Sequence, residues 1–320
     1  VLGDGTYSGG FLTAVVVGSE SLLVRYNMNY FSMFSGIGGF EIALNKLGHK
    51  CVGYSEIDKT ASDIYSKHFP NEVNYGDATK INEEQLPKFD LLVGGLPCQA
   101  FSIAGKRRGF EDTQGTLFFD IARIVKSRKP RYLLLENVKG LVNHQSGETF
   151  RVILNTLGEL GYSYQWGVVN SRYFGVPQNR ERVFIVGYLT EGSRCKYQIF
   201  PYRESADEIP SVVQKTKNII SPCITTENAH IYGCNVTVAQ TYAITKCNNI
   251  IVTEDIKNGI LRRLTPTECE RLMGFPDDWT KNGISSTGKE YNIADTKRYK
   301  VLGNAVVTNV VYSLCKNILE

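Results

Sequence analysis

The sequence predicts an α/β fold in which parallel strands are joined by right-handed helical crossovers, and three observations carry that prediction. Short apolar runs of strand length alternate with amphipathic stretches of helical length from residue 29 to about 189, which is the pattern of βαβ units. Glycines and acidic residues stand where the apolar runs end, at the carboxyl edge where open α/β sheets bind their ligands. The 320 residues, 42% hydrophobic and 21% charged, suffice for one large core with a smaller module beside it.

The elements follow in order. "YFSMF" reads as the first strand and 39–47 as the helix after it; "CVGYSE" is the second strand, 59–67 the second helix, and "YGDAT" follows a third, short strand. "FDLLVGG" is the next strand; a helix over 116–127, the strand "YLLLEN", a helix over 148–160 and strands at 164–170 and 182–189 complete the sheet. From 191 to 261 Thr, Asn, Cys and Ile mix without helical period, so a second module is expected there. Helical pattern returns at "TPTECERLM", with Thr265 as N-cap and Glu268 three residues on as in a capping box. A last helix over 305–319 sets Val306, Val310, Leu314 and Ile318 four apart on one face, which should dock back on the sheet. Residues 1–27 precede the first convincing element, near Met28; an extension outside the fold and an added strand or helix packed on it both fit.

No apolar run approaches the roughly 18 residues of a membrane span, so a soluble chain with no membrane partner is expected. The eight cysteines show no CxxC pair, no zinc spacing with histidine and no dense framework of the secreted kind. They read as reduced thiols in a cytoplasm, with no metal. A net charge of +4 is compatible with a nucleic-acid partner and too mild to argue for one alone.

The chemistry-bearing residues cluster at the strand ends. In "FSGIGGFEIAL" the glycines Gly36, Gly38 and Gly39 allow backbone to approach a ligand closely, and the helix start behind them favours an anion. Position 41 is Glu, so GxGxxG is not completed. Glu56 in "YSEID" is placed to accept both ribose hydroxyls of an adenosine, and Asp77 in "YGDAT" to accept from an adenine amino group. These acids suit an adenosine cofactor, dinucleotide or S-adenosylmethionine. Cys98 in "GGLPCQ" sits on a loop after a strand rather than in a core, which makes it a nucleophile candidate. Glu136 and Asn137 end "YLLLENV". A carboxyl group in so dry a place tends to keep its proton and donate it to a ring nitrogen; pairing with a nearby Arg is the alternative. Arg180 and Arg182 in "QNRERVFIV" share one strand face, where Arg182 is suited to a carbonyl oxygen.

Taken in order, "FSGIGGF", "SEID", "GD", "PCQAFSIAGKRRGFED", "GTLFFDIARIV", "ENVKG", "QNRERV", "LTPTECERLMGFPD" and "GNAVV" resemble the motifs of the DNA cytosine-5 methyltransferases, in particular the bacterial restriction-modification enzymes of the HhaI kind. The resemblance implies a Rossmann-like S-adenosylmethionine-dependent methyltransferase sheet with a smaller, irregular target-recognition domain. The catalytic and cofactor-binding domain would be 28–190 plus 296–320, the target-recognition domain 191–275 and the hinge 276–295. It implies that the Cys98 thiolate adds to C6 of cytosine, that protonated Glu136 holds N3, and that Arg182 supports O2, with Gln99 and Arg180 in the same catalytic group. The implied cofactor pocket is Phe34, Gly36, Glu56, Asp77, Pro97, Leu117 and Asn304, with Gly38, Gly39, Ile57, Ala78 and Val306 beside them.

A target base inside a duplex is out of reach, so it must be flipped out. The implied partner is double-stranded DNA, met by a monomer with any cognate restriction endonuclease acting separately, in a prokaryotic cytoplasm or encoded by a phage. Segment 191–261 has seven basic and seven acidic residues and is no basic clamp. Phosphate contacts therefore fall to Lys106, Arg107 and Arg108, and base reading to polar side chains and loop backbone. Leu96 stands where many family members have Pro or Phe, and Ala104 replaces a small hydroxyl residue.

Two enzyme rivals are kept. An RNA cytosine-5 methyltransferase would share the fold, but the "CFT" tripeptide of the tRNA-acting branch is absent. An NAD-dependent oxidoreductase is permitted by the glycine turn and Glu56 and leaves Pro-Cys-Gln and "QNRERV" unexplained. A DNA-binding protein without catalysis would have no need of Cys98, Glu136 and Arg182 together.

Overall fold

The computed structural model describes residues 12–13, 25–96, 117–189, 200, 243–245, 249–251 and 264–319. One sheet dominates, made of β1 (Asn29–Met33), β2 (Lys50–Ser55), β3 (Leu91–Gly95), β4 (Tyr132–Val138), β5 (Tyr162–Asn170) and β6 (Glu181–Leu189), in the order β2-β1-β3-β4-β6-β5. Between them run α1 (Gly39–Lys46), α2 (Lys59–His68), α3 (Leu117–Arg128) and α4 (Glu148–Glu159). Alternate strand residues face opposite sides of a sheet. Tyr30, Leu91, Val93, Leu134 and Val186 bury into one core, and Phe31, Met33, Leu92, Leu133, Leu135 and Ile185 into the other. Both faces are covered, which is why these strands read as continuous apolar runs.

The expectation of parallel strands throughout is corrected at β6, which pairs antiparallel with both β4 and β5. Only residues 171–180 join β5 to β6. A parallel return needs a crossover of about a dozen residues or more, so the chain turns straight back and slots β6 between its neighbours. The third strand shrinks to a single bridge between Tyr54 and Asn74. There the Asn74 side chain takes the Glu56 and Gly76 N–H groups at 3.2 and 2.8 Å.

Beyond the sheet lie an antiparallel pair, β7 (Ala243–Thr245) and β8 (Asn249–Ile251), then α5 (Pro266–Leu272), the hairpin β9 (Asn282–Ile284) and β10 (Glu290–Asn292), α6 (Asp295–Asn304) and α7 (Thr308–Leu319). The capping box of α5 is formed: Thr265 Oγ1 accepts from Glu268 N at 3.2 Å and Glu268 Oε2 from Thr265 N at 2.7 Å. Leu264, Cys269, Leu272, Met273 and Phe275 are buried in the same core as Tyr30 and Phe40. Residues 264–275, assigned by their sequence to the smaller module, thus pack with the sheet, because their apolar side chains have its core to bury against. The hairpin within 276–295 leans on α2: a Cβ at Gly283 would stand 3.0 Å from that of Asp63, and Lys67 Nζ meets Glu290 Oε1 at 2.5 Å. The expected helix over 305–319 begins at Thr308, behind a separate α6. Arg180 holds the Gly303 and Ala305 carbonyls, each at 2.9 Å, and the chain goes extended at Ala305. Of residues 1–27, Leu12–Thr13 pairs antiparallel with Arg25–Tyr26.

Candidate active site

After β1 the chain turns through Phe34, Gly36 and Gly38, all at positive φ (52°, 59° and 88°). Glycine adopts this region freely, whereas a bulky residue such as Phe34 does so only when its surroundings impose it, a signature of functional turns. Glu56 supplies part of that constraint. Its Oε2 accepts from Gly36 N at 2.8 Å, and its Oε1 from Ile57 N at 2.8 Å and Asp58 N at 2.7 Å. Burial raises its pKa against those three N–H groups. Of roughly four acceptor directions on a carboxylate, one goes to the glycine turn and two to the backbone just after Glu56, so this side chain fastens the turn to the end of β2. Asp77 Oδ1 is engaged by Thr79 N at 3.0 Å and Thr79 Oγ1 at 2.8 Å, and these bonds lower its pKa.

A cavity of about 740 Å³ opens over this edge. Phe34, Gly36, Gly39, Glu56, Ile57, Asp77, Ala78, Leu117, Asn304 and Val306 line it, and Glu136, Arg180 and Arg182 line it too. Residues from both ends of the chain therefore share one space. Gly38 does not line it: a Cβ there would lie 2.5 Å from Phe69 Cε2, so its glycine answers to packing and to φ. Pro97, Cys98, Gln99, Lys106, Arg107 and Arg108 lie outside the described residues. Leu96, just before them, lines the cavity and donates its N–H to Glu136 O at 2.9 Å.

Glu136 pairs across β3 and β4 with Gly95, where a Cβ would stand 3.4 Å from Glu136 Oε2; glycine keeps the approach to the carboxyl open. Arg182 Nε lies 3.2 Å from Glu136 Oε1. Burial pushes the Glu136 pKa up, and the charges of Arg182 and Arg180 work against it without cancelling it. Both sequence expectations, a dry carboxyl and an Arg partner, meet at this residue. Arg180, read as one of the catalytic group, is buried and holds the two carbonyls that bracket Asn304. Its hydrogen bonds thus brace the cavity wall at Asn304. The sequence reading missed Asp58 and Lys300, which also line the cavity and meet at 2.9 Å. Asp58 carried an N-cap signal, accepting from Thr60 N and Ala61 N at 2.9 and 3.1 Å; Lys300 is 242 residues away and carried none.

Residues 28–243 and 205–320 match the model of the C-5 cytosine-specific DNA methylases. The chain belongs to that family. This C-5 cytosine methylase is 34% identical over 318 residues to the type II methyltransferase M.HhaI of Haemophilus parahaemolyticus, covering 91% of this chain and 94% of the relative. To M.HpaII of Haemophilus parainfluenzae it is 36% identical over 338 residues, with 93% and 90% covered. Its fold matches the crystal structure of S. pombe Dnmt2 at a TM-score of 0.64 and 20% identity, over 92% of this chain and 98% of the other. The methylase is thus an S-adenosylmethionine-dependent enzyme acting on DNA, and the NAD-dependent reading of its glycine turn falls. Among its described residues no helix is long and apolar enough to cross a membrane.

Proposed function

We propose that this methylase modifies cytosine at a specific site in double-stranded DNA, as a monomer and as the modification half of a restriction-modification system, any cognate endonuclease acting separately. The observation that carries the reading is the buried Glu136, paired with Arg182, in the cavity that also contains the Glu56-braced glycine turn. A cavity of this volume, with carboxylates at two strand ends and open space over Gly36, fits an adenosyl amino acid. Phe34, Gly36, Glu56, Asp77, Leu117 and Asn304 would hold it, with Pro97 completing the wall. When bound, S-adenosylmethionine would supply the electrophilic methyl group that cytosine C5 takes, its sulfur–methyl bond breaking to release S-adenosylhomocysteine.

The chain's own groups do the rest. Cys98 follows the cavity-lining Leu96 by two residues in the sequence. Its thiolate adds to C6 of a flipped-out cytosine, forming an S–C bond and pushing density toward C5. Glu136 holds its proton at N3 and Arg182 faces O2, which together neutralise the developing charge. After C5 is methylated it loses its proton and the thiolate leaves, restoring the ring. A free thiol has a pKa near about 8.5, so the site must raise the thiolate fraction. The buried Cys51, Cys269 and Cys315 face the opposite influence: burial pushes their thiols up, Cys269 to about 12. Gln99 is assigned beside the nucleophile, Lys106, Arg107 and Arg108 to phosphate, and the segment 191–261 to target recognition.

Cys98→Ser is expected to abolish methyl transfer from tritiated S-adenosylmethionine while cofactor and duplex DNA still bind. Full activity of that variant would sink the mechanism. Native protein should also form a covalent adduct with a duplex carrying 5-fluorocytosine at its methylated position. A tRNA acceptor run in parallel separates the RNA reading, which requires methyl transfer to tRNA and none to DNA.

A further inference from the structure

The glycine turn is also held by residues that do not line the cavity. Trp279, in the loop after α5, donates from its indole Nε1 to the Ile37 carbonyl at 2.8 Å. His68, the last residue of α2, lies flat on that indole, with ring centroids 3.5 Å apart and an interplanar angle of 6°. His68 Nε2 meets the Trp279 carbonyl at 2.8 Å, which places the imidazole proton on Nε2. Phe69 packs against the indole at 5.9 Å and fills the space a Gly38 side chain would need. The Trp279 loop is itself anchored. Thr280 N donates to Glu270 Oε1 at 2.8 Å, and Arg298 reaches Glu270 Oε1 at 3.1 Å and Thr280 Oγ1 at 3.0 Å.

The turn is therefore pinned from two sides, by Glu56 at the Gly36 N–H and by Trp279 at the Ile37 carbonyl. Between and beside these pins stand two glycines at positive φ, whose backbone has many other conformations within reach. We infer that Trp279 is a positioning residue for the cofactor, setting through the Ile37 carbonyl the turn that Phe34 and Gly36 present to S-adenosylmethionine. The inference rests on the reading of the cavity as the cofactor site. Without the indole N–H, the Ile37 carbonyl loses its partner in a half-buried place and the peptide is free to reorient, so cofactor must supply the ordering.

Trp279→Phe keeps a ring on His68 and removes the N–H. The dissociation constant for S-adenosylmethionine, measured by calorimetry, should rise about tenfold, equivalent to about 1.4 kcal/mol. With saturating cofactor, kcat should stay within about twofold of native, and KM for duplex DNA should not move. An unchanged cofactor dissociation constant, or parallel losses in kcat, DNA affinity and thermal midpoint, overturns the inference. Should the Phe variant not fold, the chain has only two tryptophans. Benzothienylalanine incorporated in a Trp166→Phe background then exchanges the Trp279 N–H for sulfur with the ring kept, and the same outcomes apply. Native protein that fails to bind S-adenosylmethionine at all would refute the cofactor reading; native binding with no change in either variant refutes only the role of Trp279.

Discussion

At the scale of single residues, Glu41 shows how far burial alone can move a group. It stands in the first turn of α1 with no exposed surface, and burial lifts its carboxyl to about 7, with Glu72 nearby adding to the rise. The Tyr65 hydroxyl meets Glu41 Oε1 at 3.2 Å and also meets Glu72; its one proton serves one acid at a time, and the two acids share one cluster. A folded-state value above the ordinary carboxylate value means that the neutral form favours the fold. That contribution is complete below about pH 4.5 and is lost as the pH rises through about 7. A shift of this size is on the order of 3 kcal/mol. The stability of native protein relative to Glu41→Gln should therefore decline by that order between pH 4.5 and 7.5 in urea titrations; parallel pH profiles would contradict it. The sequence showed Glu41 only as the residue that spoils GxGxxG, because its partner Tyr65 stands 24 residues away and is brought to it by the fold.

At the scale of elements, the sequence was most legible where a signal is local. Thr265 and Glu268 announced the start of α5, and the structure forms both bonds of the box. Thr265→Ala should cost about 1 kcal/mol in denaturant unfolding, the usual value of an N-cap side chain. A midpoint unchanged from native would show that the box is dispensable. Signals that needed a partner misled. The four-residue spacing from Val306 to Ile318 described one helix, yet Val306 belongs to the break before α7 and lines the cavity. Gly39 was read as leaving room for a ligand. It lines the cavity, but a Cβ there would also stand 2.8 Å from Val306 Cγ1 and 3.1 Å from the Val306 carbonyl, so part of its requirement comes from the chain's own far end.

At the scale of the whole molecule, C-terminal residues from Lys300 to Val306 line the cavity, and charge ties these elements to α2 and its N-cap. Lys67–Glu290 and Lys300–Asp58 are exposed to solvent and screened by it, so they contribute little. Glu270 is different: it has no exposed surface, and Arg298 meets it from α6 at 3.1 Å. Removing Glu270 leaves the buried Arg298 with only the exposed Asp295, at 3.3 Å, as counter-charge, a loss of up to about 3–5 kcal/mol. Glu270→Ala should lose stability of that size and Lys67→Ala almost none, measured side by side in urea. Equal small losses would show that the buried pair does not hold α6 to α5.

The sequence by itself determined the α/β class, the strands that carry the site, and the identities of Gly36, Gly39, Glu56, Asp77, Glu136, Arg180 and Arg182 around the cavity, because each is announced by a local pattern of periodicity, turn chemistry or motif. Only the tertiary structure decided that β6 runs against its neighbours, that Glu56 faces backbone as much as solvent, that Arg180 braces Asn304, and that Trp279 pins the glycine turn. Each of those depends on which partner is brought close by packing. Trp279 and Ile37 are 242 residues apart, and no local pattern of the chain encodes a hydrogen bond over that distance.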